Sequence, residues 1–276
     1  MRNMYNAATM MNQLQHRMDQ TSNNLVNMNT HGYKARQSNF SSLMFQQIDH
    51  MLGNDANSPR LTQEGIREGS GAKLAHTNIH MGQGTIQATD RALDVAIEHP
   101  NQFFVVNVPG VDGDVEQQYT RAGNFYMQPI NDNEQVMLTD SNGNPVQGVD
   151  GPIIIDHNFE NIEITADGRI ETTTGGATET VASLQLVQID LPRALDYIGG
   201  NNYRLDVEGL GVPAEELAIA VPPQELTLHT RSLEASNVDF SQEMARLIES
   251  QRAYSLNGQS ITLGDQMMGL INSMRS

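Results

Sequence analysis

The sequence predicts an α+β protein: helices at the two ends of the chain pair as a coiled coil, and a central domain is all-β and antiparallel. Apolar residues recur every three or four positions at both termini, whereas the middle alternates short β-branched runs with glycine-containing turns. Charge divides the chain in the same way, because residues 35–230 hold 27 of the 33 acidic residues but nine of the 16 basic ones. We therefore predict a helical domain from 1–34 plus 231–276, an extended connector at 35–75, and a β domain at 76–230.

The first helix is predicted from apolar positions that alternate in steps of three and four: Met4, Ala7, Met11, Leu14, Met18, Thr21, Leu25 and Met28. This spacing is a heptad a/d series, the pattern of a coiled-coil seam, with Thr21 as its one polar interruption. Seven Asn residues within 1–34 weaken the helix, because Asn side chains compete for backbone hydrogen bonds. The helix is expected to end where turn residues and a left-handed cap follow: Asn27, Asn29, Thr30 and Gly32.

The second helix is predicted to begin near residue 237. Asn237 or Asp239 can cap it, and Asp239 with Gln242 three positions later resembles a capping box. Apolar residues follow at spacings of three, four or seven: Phe240, Met244, Leu247, Tyr254, Ile261 and Met268. A second set widens this stripe: Ile248, Met267, Ile271 and Met274. Isolated helices of this kind are marginal, so the pair must be stabilised by packing, either on the chain's own β domain or against neighbouring copies.

The middle of the chain contains short runs rich in β-branched residues: LDVAI (93–97), FFVVNV (103–108), VMLT (136–139), PIIID (152–156), IEIT (162–165), LQLVQI (184–189) and YRLDV (203–207). Turn dipeptides separate them: Asp112-Gly113, Asn142-Gly143, Asp150-Gly151, Asp167-Gly168 and Gly199-Gly200. No predicted helix of ~10 or more residues alternates with these strands, which favours an antiparallel over a parallel sheet.

Composition excludes several classes of function. No run approaches the ~18 consecutive apolar residues of a membrane helix, so we expect no membrane insertion. The N-terminus lacks the apolar core of a cleaved secretory signal. The formal net charge of −17 disfavours nucleic acid and anionic membranes as partners. The chain has no Cys, which removes disulfides, thiolate metal sites and Cys nucleophiles.

No candidate for catalysis or for metal binding survives comparison with its template. Asp140, Asn142 and Asn144 have the spacing of a calcium loop, but the twelfth position is Gly151 rather than Glu, and a turn explains the same residues. His76 and His80 lack the Glu and the helical context of a zinc motif. Asp94 and Arg121 can form an ion pair, for which a structural role is the better reading. We therefore predict no enzyme, no cofactor and no metal.

Motifs at both ends and in the middle resemble one family. NLVNMNTHGYK (24–34) is similar to the N-terminal signature of flagellar basal-body rod and hook proteins. LEASNV (233–238) with QRAY (251–254), and then Asn257, Ile261 and Asp265, resembles the C-terminal motif of the same family. GQGTIQATDRALDVAI (82–97) and YTRAGNF (119–125) resemble its central stretch. The length of 276 residues favours a rod-type member, such as the distal rod protein, over the longer hook protein.

The resemblance implies a structural subunit of the bacterial flagellum. Members of this family leave the cell through the flagellar export apparatus, and their terminal helices pair inside a tubular axial structure that transmits torque from motor to hook. The implied partners are copies of the same chain and other rod or hook subunits, and the implied location is the basal body. The resemblance also implies helices that fold fully only on assembly.

The assembly interface implied by this resemblance has three parts. The helix seam consists of Met4, Met11, Leu14, Met18, Leu25, Phe240, Met244, Leu247, Tyr254, Ile261 and Met268. The exit from the first helix is shaped by Asn24, Leu25, Asn27, Asn29, Thr30, Gly32, Tyr33 and Lys34. The start of the second helix and its signature comprise Leu233, Glu234, Ser236, Asn237, Val238, Gln251, Arg252 and Asn257.

Two other classes of function compete with this reading. One is a secreted binding protein or adhesin, in which an acidic β domain recognises its target and the helices only form a small closed oligomer. The other is an enzyme on a β scaffold, which would need a deep polar pocket with perturbed carboxylates.

Overall fold

The computed structural model describes residues 2–42, 45–47, 67–69, 72–110, 115–130, 134–206 and 214–275. The predicted Asp112-Gly113 turn lies outside these residues. The chain forms two compact units, a helical unit of residues 1–25, 36–78 and 240–276 and a β unit of residues 26–35 and 79–239.

The first elements in chain order are α1 (Arg2–Val26), β1 (Arg36–Ser42), β2 (Phe45–Gln47), β3 (Arg67–Gly69), β4 (Ala72–Ile79), β5 (Ile86–Ala88), β6 (Val95–Ile97), β7 (Gln102–Pro109), β8 (Val115–Thr120), β9 (Tyr126–Ile130), β10 (Gln135–Thr139), β11 (Gln147–Gly148) and β12 (Gly151–Pro152). The remaining elements are β13 (Ile154–Asp156), β14 (Asn161–Ile164), β15 (Arg169–Thr174), β16 (Ala177–Ser183), β17 (Leu186–Ile189), β18 (Leu195–Gly199), β19 (Asn202–Leu205), α2 (Ala214–Leu217), β20 (Ala218–Ala220), β21 (Leu228–Thr230), β22 (Ser232–Glu234) and α3 (Phe240–Arg275).

The helical unit contains α1 and α3 together with two strand pairs, β1 with β4 and β2 with β3. The predicted end of the first helix and start of the second are confirmed. From residue 36 onwards, strands occupy the described parts of the segment that we predicted as an extended connector. Among the described residues, no helix is long and apolar enough to cross a bilayer.

The two long helices run antiparallel within this unit, as three contacts along their length demonstrate. Asn24 Nδ2 donates to Glu243 Oε2 at 3.3 Å, near the end of α1 and the start of α3. Arg17 lies 3.6 Å from Glu249, and Met4 lies beside Gly264. Because residues near the start of α1 contact residues near the end of α3, the two helices lie side by side and run in opposite directions.

The β unit is antiparallel throughout the pairs that the structure describes, which confirms the predicted antiparallel β region in the middle of the chain. Its largest sheet has six strands in the order β18-β19-β8-β7-β17-β20. Two three-stranded sheets, β13-β10-β9 and β14-β15-β16, and the pairs β11-β12, β21-β6 and β22-β5 complete it. The predicted hairpin at Asp167-Gly168 joins β14 to β15, and Gly168 adopts a φ of +75° there.

Strand β7 lies between the two hydrophobic clusters of this unit. Phe104 and Val106 belong to the larger cluster, and Phe103 and Val105 belong to the smaller one. Successive side chains of a strand point to opposite faces, so a continuous apolar run is buried on both sides. The run FFVVNV therefore forms a strand, as predicted, and the structure places that strand at the centre of the β unit.

Candidate assembly interface

The seam predicted on α1 coincides with the face of α1 that is least exposed. Ala7, Leu14 and Thr21 are buried in the described structure. The other members are half-buried, except for the exposed Met28: Met4, Met11, Met18 and Leu25. The positions with heptad spacing, including the polar Thr21, therefore follow the less exposed face of the helix.

The seam predicted on α3 divides into two groups. Four members are half-buried on the side that meets α1: Met244, Leu247, Tyr254 and Ile261. The end members Phe240 and Met268 are exposed, at 54% and 42%. Two buried residues of this face, Glu243 and Ser250, were missed because they are polar, although they keep the spacing of the stripe.

A second apolar stripe runs along α3 on the side away from α1, and it is exposed. Its members are Ile248, Leu256, Leu263, Met267, Leu270, Ile271 and Met274. At 100° per residue, they centre roughly opposite the face that holds Leu247 and Tyr254. A shallow groove begins this stripe, lined by Ala245, Ile248, Glu249, Arg252, Ala253 and Leu256. We call this surface the outer stripe.

The β unit holds a buried ionic cluster of Lys34, Arg121 and Glu234, which we call the clasp. Arg121 donates to Glu234 Oε2 from Nε at 3.0 Å and from Nη2 at 2.6 Å. Lys34 Nζ donates to Glu234 Oε1 at 2.6 Å and to the Gly82 carbonyl at 3.0 Å. All three side chains are at most 1% exposed. The clasp joins motifs that are up to 200 residues apart in the sequence.

The clasp perturbs the acidity of its members. Burial lowers the pKa of Lys34 to about 8, and the neighbouring Arg121 charge acts in the same direction. Burial by itself raises the pKa of Glu234, but Arg121, Lys34 and the Gly84 N–H outweigh it, so the pKa of that carboxyl lies below its usual value. Burial lowers the pKa of Arg121 as well, although Glu234 opposes this.

Backbone groups from several segments complete the clasp. Arg121 donates to the carbonyls of His99 and Gln102, and the Gly84 N–H donates to Glu234 Oε1. Gly32 has a φ of +69°, and a Cβ there would lie 2.5 Å from the Arg121 carbonyl carbon. We predicted that Gly32 helps to cap α1, and this is wrong because α1 ends six residues earlier, at Val26. Gly32 instead lets the chain pass close to the Arg121 backbone.

Asn24, near the end of α1, and Asn237, just before α3, fix the backbone by hydrogen bonds. Within the helical unit, Asn24 exchanges two hydrogen bonds with the Arg36 backbone, at 2.8 and 3.1 Å. Within the β unit, Asn237 accepts from the Ala35 N–H at 2.7 Å and donates to the carbonyls of His80 and Gly82. Each Asn thus satisfies both a backbone donor and a backbone acceptor.

The remaining signature residues have local roles. Thr30 donates to Asn27 Oδ1, and the Ser236 hydroxyl accepts from the Val238 N–H. Leu233 is buried, and Asn29 is exposed. Asn257 donates to the Ala253 carbonyl, whereas Gln251 and Arg252 are exposed on α3.

The Asp94–Arg121 ion pair that we considered is wrong. Asp94 pairs with Arg91 at 3.2 Å and accepts from Thr89, whereas Arg121 pairs with Glu234. Sequence could not choose between the two buried carboxylates of Asp94 and Glu234. The Lys34–Glu234 and Arg121–Glu234 pairs were not predicted, although all three residues lie within the motifs that carried the resemblance.

The other candidate sites are accounted for by local hydrogen bonds. The Asp140 carboxylate accepts from the backbone N–H groups of Asn142 and Asn144 at 2.8 Å each, and from their side-chain amides. It thus closes the turn around Gly143. His80 contacts Asn237, and the side chain of His76 lies outside the described residues.

Comparison with known proteins identifies the class to which this fold and interface belong. The family described as flagella basal body rod protein matches residues 4–34. The flagellar hook protein FlgE/F/G D1 domain matches residues 99–172, and the flagellar basal body rod FlgEFG protein C-terminal family matches residues 229–274. The chain therefore belongs to the flagellar rod and hook protein family, as its motifs predicted.

Individual relatives extend over almost the whole chain. The flagellar hook-basal body complex protein FlhP of Bacillus subtilis is 40% identical over 279 residues, which cover all of both chains. The flagellar basal-body rod protein FlgG of Caulobacter vibrioides is 33% identical over 92% of each chain. FlgG of Borreliella burgdorferi is 30% identical over all of this chain and 99% of its own.

Proposed function

We propose that this protein is a structural subunit of the bacterial flagellar basal-body rod. It polymerises with copies of itself and with other rod or hook subunits into a helical tube that transmits torque from the motor to the hook. Full-length similarity to proteins named for the rod and the hook-basal body complex supports this reading over the secreted adhesin. The function is mechanical and needs no catalytic group.

One observation carries the proposal: α3 has two apolar faces on opposite sides, and the chain uses one of them. The inner face meets α1, whereas the outer stripe has residues exposed by 44–87%. A helix that is apolar on opposite sides is typical of one that is packed between two neighbours. A contiguous exposed apolar surface marks a protein interaction site. We therefore assign the outer stripe to contacts between subunits.

The stripe fits a polymer better than a small closed oligomer. Met4 of α1 lies opposite Gly264, so α3 continues for about three helical turns beyond the end of α1. The apolar residues of this extension can contact a different surface of the next subunit. Such a contact is heterologous and does not close on itself, which generates helical arrays.

We further propose that α1 and α3 pair as a coiled coil in the assembled rod, with the seam residues named above as its core. The Met-rich seam adapts to irregular neighbours because Met is flexible and polarizable. Passage through the flagellar export apparatus would require an unfolded chain, and helices that gain much of their stability from packing suit that route.

The experiment compares two adjacent residues of α3. Leu256→Asp places a charge in the outer stripe, where Leu256 is 62% exposed in the free chain. Ser255→Asp places the same charge one residue earlier, about 100° around the helix from Leu256, at the edge of the stripe, where the native side chain is already polar and exposed. Both variants would be introduced into the native strain and also purified.

Leu256→Asp is expected to weaken subunit association by about tenfold or more, because an unpaired carboxylate is costly to bury in an apolar interface. Swimming in soft agar and intact hook-basal bodies in electron micrographs should be lost, while Ser255→Asp retains both. Normal rods with Leu256→Asp would refute the assignment of the outer stripe. A defined small oligomer of the wild type, by sedimentation, would instead favour the adhesin.

A further inference from the structure

The clasp contains two cations and one anion in a site that excludes water. Arg121 alone neutralises Glu234, because two of its N–H groups bind the same carboxylate oxygen. Lys34 approaches the other oxygen and adds a second positive charge to the same buried site. When all three groups are ionised, the clasp therefore carries a buried net charge of +1, which is unfavourable in a low-dielectric interior.

Lys34 needs only two N–H groups for the contacts it makes. Its Nζ donates to Glu234 Oε1 and to the Gly82 carbonyl. A neutral amine has two N–H groups, so deprotonated Lys34 retains both hydrogen bonds. The same deprotonation removes the excess charge and leaves Arg121 and Glu234 as a balanced pair.

The clasp also determines where two distant parts of the chain lie. Lys34 belongs to the segment that follows α1, and Glu234 belongs to the segment that precedes α3. The Gly32 N–H donates to the Glu234 carbonyl at 2.7 Å, and Asn237 binds the Ala35 N–H. These contacts join both segments to each other inside the β unit.

We propose that the clasp is a pH-sensitive device that holds these two segments together more tightly in alkaline than in neutral medium, with Lys34 acting as a neutral donor. This inference concerns folding of the β unit and is independent of the proposed rod function. Arg121 remains ionised because its guanidinium is the strongest base among the side chains. Glu234 remains ionised because two cations face it.

The direction follows from the protons bound in each state. Lys34 titrates near pH 8 in the folded protein and near 10.5 when unfolded. Between these values the unfolded chain binds more protons, so the free energy of unfolding rises with pH. The charged groups that face Lys34 are Arg121 and Glu234; Tyr203 lies near Arg121, and His80 lies beside Asn237. Buried Tyr119, whose pKa is raised, acts oppositely near pH 10 and above.

Most other basic residues of the chain stay positively charged between pH 8 and 10.5, where Lys34 loses its proton. Fourteen of the 16 basic residues are Arg, and Lys34 and Lys73 are the two lysines. Arg stays protonated well above pH 10, so the cations that offset 33 acidic residues persist in alkaline medium. Lys34 is thus one of two side-chain ammonium groups whose ionisation changes there.

Two measurements on the full-length chain test the proposal. The first is urea unfolding at pH 7, 8 and 9 for the wild type and Lys34→Met, with Lys73→Met as the matched control. The near-ultraviolet circular dichroism of tyrosine reports on the β unit, where Tyr119 and Tyr203 are buried. The wild-type folding constant is expected to rise about tenfold from pH 7 to pH 9 relative to Lys34→Met, and Lys73→Met should follow the wild type.

The second measurement needs no folded variant at position 34. Selective ¹³C labelling of lysine gives two Cε signals, and Lys73→Met identifies the one that belongs to Lys34. This signal should titrate near pH 8. Titration near 10.5, or parallel unfolding profiles of the wild type and Lys34→Met, would overturn the proposal.

Discussion

The clasp and the outer stripe both place side chains in unfavourable surroundings, but in opposite ways: the clasp buries charged groups, and the outer stripe exposes apolar ones. The clasp buries three ionised side chains, yet each is satisfied by partners within the chain. The outer stripe exposes seven apolar side chains that have no such partners among the described residues. The difference indicates that the buried charges of the β unit are satisfied within one subunit, and we propose that a neighbouring subunit covers the outer stripe of α3.

The largest expected effect comes from removing the anion of the clasp. Glu234→Gln leaves Lys34 and Arg121 buried without a counter-charge, so we expect unfolding of the β unit to become easier by about 3–5 kcal/mol. Urea denaturation measures the change. Glu163→Gln is the control, because its pair with Arg231 is about half exposed and should contribute about 1 kcal/mol or less. Equal effects of the two substitutions would show that the clasp is no stronger than a surface pair.

An intermediate effect is expected at Gly32. Gly32→Ala combines a left-handed backbone with a Cβ placed against the Arg121 backbone, so we expect a loss of about 2–3 kcal/mol or more. Gly175→Ala is matched to it, because Gly175 has a similar φ of +58° and nothing within 4 Å of its Cβ position. That variant should lose about 1 kcal/mol from backbone strain alone. Thermal unfolding that gave the two variants the same melting temperature would contradict the close approach at Gly32.

The smallest effect on stability is expected in the outer stripe. Leu263 is 60% exposed, so Leu263→Asp should change the free energy of unfolding of the monomer by about 0.5 kcal/mol or less. Polymerisation, measured by sedimentation, should nevertheless fall sharply. A large loss of monomer stability would mean that the stripe already serves the folded chain, and the contrast between the two regions would disappear.

Local sequence was sufficient for several elements of this fold. Heptad spacing located the inner face of α1, and turn dipeptides located the hairpin at Asp167-Gly168. The run at 103–108 predicted a strand, and the structure shows that this strand is buried on both sides. These features depend on residues a few positions apart, and backbone sterics and side-chain periodicity act over that distance.

Residue type limited what could be predicted for the interface. Glu243 and Ser250 lie on the buried face of α3, but a search for apolar residues passes over them. Phe240 and Met268 extend the predicted seam, yet they are exposed. The width of the stripe was visible in the sequence, but its division into an inner face and an outer stripe depends on where α1 lies.

The sequence by itself determined the helix ends, the central antiparallel β region, the hairpin at Asp167-Gly168 and the family. Only the tertiary structure decided which charges meet, because Lys34, Arg121 and Glu234 come from segments about 90 to 200 positions apart. Sequence offered Asp94 as a partner for Arg121, and the fold placed Glu234 there instead. The physical reason is that electrostatic pairing depends on distance in space and on burial, and neither is encoded by local spacing.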